Sequence, residues 1–333
     1  MRIIHCSPFN IFTKSGGALY ANPIKISQGL TRNGHFVHNF DYRDTARFMS
    51  WFKNKKRGRA KMNAFFRSMV DDIRPDLVVF GHAELIDVES YEYLQKRGIR
   101  MIFWYNDLPV PPKFETIAHF FDAVFATADG EFLDEMRRFS DKSYFMPNLV
   151  DVSIETYRSF ENETYANDLL FTGRADAERA ELIAYLQEQV DPKLSKKFLG
   201  HTKESVVIGD AYLREIADTR ICLNHNRQFS WKYRWFSSDR LMHILGNGAF
   251  CLSTPITDGE DFFEDKLEYY SSLEELGEKI AYFAANDQER REKSRWLHER
   301  VHALFNSQRV AAYLIDRLDG DVKKLQQYEW YHD

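Results

Sequence analysis

The chain has 333 residues, a formal net charge of −5, 44% hydrophobic and 15% aromatic residues, enough for two cores of roughly 150 residues each. That balance excludes a globally basic nucleic-acid binder and a disordered or collagen-like chain. No apolar run approaches the roughly 18 residues that span a bilayer, and residues 1–9 lack the charged-then-apolar pattern of a signal peptide, so a cytoplasmic protein is expected.

In chain order, residues 2–6 form a short opening strand, followed by a loop with Ser15-Gly16-Gly17 and a helix over 20–33. Residues 34–37 return as a strand, the rhythm of a parallel β-α-β unit. Strands at 77–80, 101–104 and 123–126, with helical segments between them, make the first half doubly wound. After Met146-Pro147-Asn148-Leu149-Val150-Asp151, the polar segment 161–167 is read as the hinge. The second half repeats the logic with a strand and loop at 169–174, a helix over 179–189, and strands at 197–200, 220–224 and 250–252. Amphipathic helices follow at 273–285 and 288–305, and one more helix over 310–325 is placed to pack back on the first domain. The domains are set at 1–155 and 156–333. Cys6, Cys222 and Cys251 lie far apart in apolar runs and read as buried thiols rather than as a disulfide or zinc set. The aromatic run Tyr328-Glu329-Trp330-Tyr331 packs either on the chain itself or on a partner.

The stretch 237–252 carries the most chemistry. Ser237, Ser238, Asp239 and Arg240 open a helix, and a helix N-terminus collects anions through its N–H groups and macrodipole, which suits a diphosphate. The same residues also serve as ordinary caps. The helix stops at Gly246 or Gly248 before the next strand. Open α/β sheets bind ligands at the carboxyl ends of their strands. There the chain places Gly16-Gly17, Gly81-His82, Asn106-Asp107, Gly173-Arg174, Asn224-His225-Asn226-Arg227 and the 237–240 loop.

The order of these residues resembles the glycosyltransferases of the GT-B fold, an α/β architecture of two facing Rossmann-like domains with an interdomain cleft. It is most similar to a spore-protein-like group whose pattern small-x-Arg-x-x-Glu-x-x-x-x-Gly reads here as Ser238-Asp239-Arg240-Leu241-Met242-His243-Ile244-Leu245-Gly246-Asn247-Gly248. The resemblance implies an acceptor-binding first domain and a nucleotide-sugar-binding second domain. Its donor residues would be Gly173, Arg174, Arg179, Asn224, Asn226, Ser237, Ser238, Asp239, Arg240 and His243. His243 stands where relatives carry a glutamate that holds the ribose; an imidazole offers one donor and one acceptor instead, and the plain alternative is a helix histidine facing a packed neighbour. Arg240 is the phosphate candidate, since a guanidinium can grip two oxygens. The run from Gly173-Arg174 to Arg179 is similar to the arginine pair on the diphosphate in phage DNA glucosyltransferases. Asp107 resembles the strand-end aspartate of those enzymes and is the candidate base, with a turn residue near Pro109 as the alternative. His82 is the second candidate base or an acceptor ligand.

Gly16 and Gly17 permit close backbone approach to phosphate or acceptor. No G-x-G-x-x-G and no P-loop lysine follows the first strand, so redox chemistry and nucleotide hydrolysis lose support. Asp319-Gly320-Asp321 reads as a turn, and no metal and no cofactor beyond the nucleotide-sugar substrate is expected. The basic, aromatic run 51–61, followed by Phe65-Phe66-Arg67, reads as a contact for a lipid-linked glycan acceptor at the inner membrane surface, as a nucleic-acid contact, or as a solvated face. The function expected is sugar transfer to a saccharide acceptor in bacterial lipopolysaccharide, capsule or other surface glycan synthesis, by a cytoplasmic protein with peripheral inner-membrane contact. Transfer to modified DNA bases and a non-catalytic nucleotide- or sugar-binding role are the alternatives.

Overall fold

Strands that are apolar without alternation belong to parallel sheets covered on both faces, and the computed structural model, which describes residues 1–332, contains two such sheets. In chain order the first comprises β1 (Arg2–Cys6), α1 (Asn22–Arg32), β2 (Phe36–Phe40), α2 (Tyr42–Phe48), α3 (Lys55–Ile73), β3 (Leu77–Gly81), α4 (Val88–Lys96), β4 (Arg100–Tyr105), α5 (Phe114–Ile117), β5 (Ala123–Ala126), α6 (Glu131–Arg137) and β6 (Ser143–Phe145). Its strand order is β2-β1-β3-β4-β5-β6, all parallel. The second comprises β7 (Asn167–Thr172), α7 (Ala177–Glu188), β8 (Lys196–Leu199), α8 (Asp210–Ala217), β9 (Thr219–Asn224), α9 (Asp239–Gly246), β10 (Cys251–Ser253), α10 (Glu260–Phe263), β11 (Glu268–Tyr269), α11 (Leu273–Ala285) and α12 (Asp287–Leu304), in the parallel order β11-β10-β9-β7-β8. The chain ends with α13 (Ser307–Asp319) and α14 (Val322–Leu325).

Two units result: Met1–Leu149 together with the segment that starts at Ser307, and Val150–Asn306. In the first, α13 lies on α1 so closely that a Cβ at Gly29 would overlap the Ser307 carbonyl oxygen. Buried Lys25 of α1 donates from Nζ to the Leu149 carbonyl at 2.8 Å, and Asn22 donates to Asn148 Oδ1. In the second, Leu169, Phe171, Ile221, Leu223 and Leu252 pack with Leu182, Leu186 and Ile280 of the covering helices.

Three expectations need correction. The boundary falls between Leu149 and Val150, not at 155, because Val150 pairs its N–H with the Phe305 carbonyl and Glu155 packs against Gly246. Segment 161–167 is not a hinge: Asn162 donates to the Ala217 carbonyl, Tyr165 to that of Ser159 and the Ala166 N–H to that of Asp218, all inside the second unit. The helix expected over 310–325 breaks at Gly320, whose φ of 70° leaves the helical region, and Asp321 caps α14 by accepting from the Lys324 N–H. Tyr328 and Trp330 are buried against Tyr313 of the same unit, with the Arg309 guanidinium over both rings. All three cysteines are free and buried.

Each sheet reverses its strand order once, between β1 and β3 and between β7 and β9. Crevices for ligands open at the carboxyl ends of such strand pairs.

Candidate functional site

In the second unit the switch point centres on Gly173, which follows β7. A Cβ there would lie 2.8 Å from Phe171 Cζ, 3.3 Å from Arg240 Nη1 and 3.4 Å from Arg179 Nε. Only a residue without a side chain leaves that space between two guanidinium groups. Gly200, at φ 79° after β8, sets its backbone beside Gly173.

Arg240, in the first turn of α9, is buried, which holds its guanidinium below the usual arginine range. Its Nε and Nη2 donate to Asn224 Oδ1 at 3.2 and 3.1 Å, Nη2 also to the His225 carbonyl at 2.9 Å, and Nη1 to the Thr172 carbonyl at 2.6 Å. Four of the five N–H donors of a guanidinium are thereby spent on the end of β7, the end of β9 and the residue that follows it. The expected two-oxygen grip is therefore corrected: one Nη1 proton remains, on the Gly173 side. Ser238 stands at the N-cap of α9, yet its Oγ donates to Asn224 Oδ1 at 2.9 Å instead of capping its own helix. Ser237 is buried beside it, and Asp239 opens the helix.

Arg179 is differently placed. Asp176 caps α7 by accepting from the Arg179 N–H at 3.0 Å and also accepts from Arg227 Nε at 3.0 Å. Arg179 Nη1 donates to the Arg174 carbonyl at 3.1 Å, but its buried Nε has no partner. Burial, then the charge of Arg240, lowers the Arg179 guanidinium to about 10. Arg179 Nη1 also lies 3.4 Å from Asp176 Oδ2, yet the net effect of its surroundings on Arg179 is still unfavourable to its charge, and its Nε and the Arg240 Nη1 both lie within 3.4 Å of the Gly173 Cβ position, an arrangement suited to an anion. Arg174 adds an exposed side chain at the rim. Asn226 takes Thr254 Oγ1 on its N–H, while its buried Nδ2 has no partner.

His225, part of the strand-end run but unassigned by the sequence, bonds through Nδ1 to Tyr270 Oη at 2.9 Å; burial, then Arg240 and Arg179, push its imidazole down to about 4. It lines a cavity of about 290 Å³ with Trp231, Thr254 and Tyr270, where Glu178, Glu181 and Glu274 supply carboxylates. His243 is buried, its Nδ1 3.2 Å from Tyr212 Oη and the two rings edge-on, which is the geometry of a packed helix histidine.

In the first unit the switch point is shaped by Gly81, where a Cβ would overlap Ser7 Oγ and the Trp104 indole. His82 and Ala83 follow at φ 59° and 57°. Two successive left-handed residues without glycine store strain that folds tolerate mainly at working sites. The turn brings His82 to Asp107, the two residues the sequence nominated for proton transfer: Nδ1 is 3.8 Å from Asp107 Oδ2, and Nε2 is 2.8 Å from Asn106 Oδ1. Asn106 accepting at Nε2 leaves the Nδ1 lone pair toward Asp107. Burial lowers the His82 pKa and Asp107 opposes that shift; Asp107 itself is 69% exposed. Glu84, absent from the sequence-derived set, accepts from Tyr42 Oη and from Arg43 Nε at 2.6 Å; burial raises its carboxyl, but these bonds prevail and hold it at about 2. Nothing in the local sequence links residues 42, 43 and 84. Gly16 sits at φ 78° in a run of turns with nothing within 4 Å of a Cβ, so it serves the turn rather than a tight approach, and Gly17 donates its N–H to the Lys14 carbonyl. Among the described residues, no cluster of three or more His, Cys, Asp or Glu could hold a metal, and no helix is long and apolar enough to cross a membrane.

Residues 166–316 match the family model described as glycosyl transferase-like, and no match to the spore-protein-like group accompanies it. No curated protein sequence matches the chain. Among solved structures, an alpha-glucosyltransferase in complex with UDP-glucose and DNA containing an abasic site is similar at TM-score 0.65 and 12% identity, over 96% of this chain and 99% of that one. A sucrose-phosphate synthase from Thermosynechococcus elongatus is similar at TM-score 0.63 and 14% identity, over 97% and 99%. The lipopolysaccharide outer core galactosyltransferase WaaB gives TM-score 0.52 and 13% identity, over 96% and 100%. At these identities the likeness is one of fold. The chain has the GT-B fold of these glycosyltransferase structures, and residues 166–316 are similar to the glycosyl transferase-like family.

Proposed function

We propose that this protein moves a sugar from a nucleotide-sugar donor to a saccharide acceptor. The observation that carries the proposal is the convergence of Arg179 Nε and the remaining Nη1 proton of Arg240 on Gly173, beside the switch point of a glycosyl transferase-like domain. A diphosphate there satisfies the orphaned Nε, relieves the repulsion between the two cations and is joined by Arg174 at the rim. Asn224 and Asn226, with Ser237, Ser238 and Asp239 at the start of α9, form the polar wall of the donor site. The cavity beside His225, with three carboxylates and an indole, suits a polyhydroxylated ring, because carboxylates accept from hydroxyls.

In the reaction the bond from the anomeric carbon to the diphosphate oxygen breaks, and its electron pair leaves with the nucleoside diphosphate. The acceptor hydroxyl oxygen bonds to the anomeric carbon, and its proton passes to His82, beside which Asp107 stands at 3.8 Å. The arginines stabilise the leaving diphosphate without a metal ion. Surface-glycan synthesis, with a lipid-linked or other saccharide acceptor, is the setting that a net charge of −5 favours over a long polyanion. Transfer to a base in DNA is the second reading, prompted by the alpha-glucosyltransferase whose fold this chain shares.

Calorimetry against UDP, GDP, CMP and ADP, with Arg179→Met and Asp107→Asn in parallel, tests the proposal. One nucleotide should bind, weaken with Arg179→Met and bind unchanged to Asp107→Asn, which should lose turnover of the matching nucleotide sugar in the presence or absence of EDTA. Failure of every nucleotide to bind would leave a non-catalytic member of the fold.

A further inference from the structure

The run 51–61 acquires a definite shape in the first unit. From Thr45 to Val70 the chain carries eight lysines and arginines and no acidic residue, in a protein whose net charge is −5. The aromatic residues at its start are not packed: Phe48 is 84% exposed, Trp51 94% and Phe52 69%, and Phe12, in the loop after β1, is 77% exposed. Asp44 joins the two segments. Its Oδ2 accepts from the Phe12 and Thr13 N–H groups at 2.8 and 3.2 Å, and Phe48 stands one turn further along α2, on the same side as Asp44. Arg57 lies over the Phe52 ring at 5.1 Å and ties the loop to α3, along which Arg57, Lys61 and Phe65 share an exposed stripe. Lys53, Lys56 and Lys61 are exposed, whereas Arg59 is committed to the Leu85 and Ile86 carbonyls.

From this arrangement we infer that the surface formed by Phe12, Phe48, Trp51 and Phe52, flanked by Lys53 and Lys56, docks on an anionic lipid bilayer. Highly exposed aromatic side chains in the loop after β1 and from the end of α2 into the turn before α3, with exposed lysines next to them in the chain, suit interfacial insertion: the rings enter the headgroup region and the ammonium groups meet lipid phosphates. A nucleic acid fits less well. A polyanion longer than the patch meets the acidic remainder of the chain, whereas a bilayer touches only the patch. The inference is independent of the sugar-transfer proposal and uses none of its residues.

The experiment is flotation of the full chain with vesicles of mixed phosphatidylglycerol and phosphatidylcholine, with pure phosphatidylcholine vesicles and with duplex DNA, while tryptophan emission is followed. Binding to the phosphatidylglycerol vesicles is expected, with a blue shift that Trp51→Phe removes and a loss of binding at about 0.5 M salt. Phe48→Ser with Trp51→Ser should weaken binding about a hundredfold, and Lys53→Gln with Lys56→Gln about thirtyfold, while both variants keep wild-type nucleotide affinity. Absence of vesicle binding, binding undisturbed by these substitutions, equal binding to uncharged vesicles, or preferential retention of duplex DNA through the same residues would each overturn the inference. A wild-type dimer that these changes split, without vesicle binding, would reassign the patch to self-association.

Discussion

Arg179 offers a test in which stability and binding should move in opposite directions. With its guanidinium lowered to about 10 by burial and by Arg240, the charged form at neutral pH carries a penalty on the order of 3 kcal/mol relative to the unfolded chain, at about 1.4 kcal/mol per pH unit. The side chain is 14% exposed, so solvent relieves little of it. Arg179→Met keeps the stem and removes the charge. It also forfeits the bond to the Arg174 carbonyl, about 1 kcal/mol, whereas the attraction of Asp176 is already contained in the lowered value. The unliganded variant should therefore gain about 1–2 kcal/mol, a rise in Tm of about 3–5 °C for units of this size. The same change deletes a charge-assisted bond to the donor diphosphate worth about 1.5–3 kcal/mol, so nucleotide affinity should drop about 10- to 150-fold. Scanning calorimetry with and without UDP or inorganic pyrophosphate reads both effects: the anion should raise the wild-type Tm and leave the variant's almost unmoved. A variant that is less stable without ligand and binds nucleotide as tightly as the wild type would refute the anion-site argument.

Gly173→Ala places a methyl group 2.8 Å from Phe171 and against both guanidinium groups; isothermal titration should show at least about tenfold weaker nucleotide binding, with a fold retained within about 1–3 kcal/mol. Asp107→Asn and His82→Gln should each lower kcat by about 10²- to 10⁴-fold with donor affinity unchanged, and the double variant should lose little more than either single one if the two act as one proton acceptor. Because the His82 pKa lies below its ordinary value, the rate should hold through neutrality and decline only in acid, as His82 takes up a proton; a decline centred above pH 7 would exclude it as the base. His5 and His225, lowered to about 3 and about 4 by burial, stay neutral in the fold while the unfolded chain protonates near 6.5. Stability measured by urea denaturation should thus fall as pH drops from about 6.5 toward 4, by up to about 1.4 kcal/mol per pH unit for each, and His225→Asn should flatten its share. Gly29→Ala, whose Cβ would overlap the Ser307 carbonyl oxygen, should cost more than about 2 kcal/mol by lifting α13 from α1.

Much of the fold follows from local pattern. Apolar runs such as residues 77–81 and 123–126 are short, bounded by turn residues and separated by helical stretches, so strand positions and the parallel α/β class are legible without tertiary information. The positions of Gly173, Arg240, Asn224 and His82 are legible for the same reason, since strand ends are where such sheets expose polar groups. Less local matters were not. Whether Arg240 had donors to spare depended on carbonyls 15 and 68 residues away; the spacing of the helix showed the guanidinium but not what it was already holding. The resemblance assigns His243 to the ribose, and only the fold shows its Nδ1 3.2 Å from Tyr212 Oη on α8. The domain boundary was misplaced because polarity marks solvent exposure or satisfied hydrogen bonds equally, and the polar segment 161–167 finds its partners inside the second unit. The sequence by itself determined the elements, their class and the strand-end addresses, all consequences of periodicity and turn chemistry within a few residues. The tertiary structure alone decided which buried donors were left unpaired, that His82 meets Asp107, and that Trp51 has nothing over it, because these depend on the packing of segments distant in the chain.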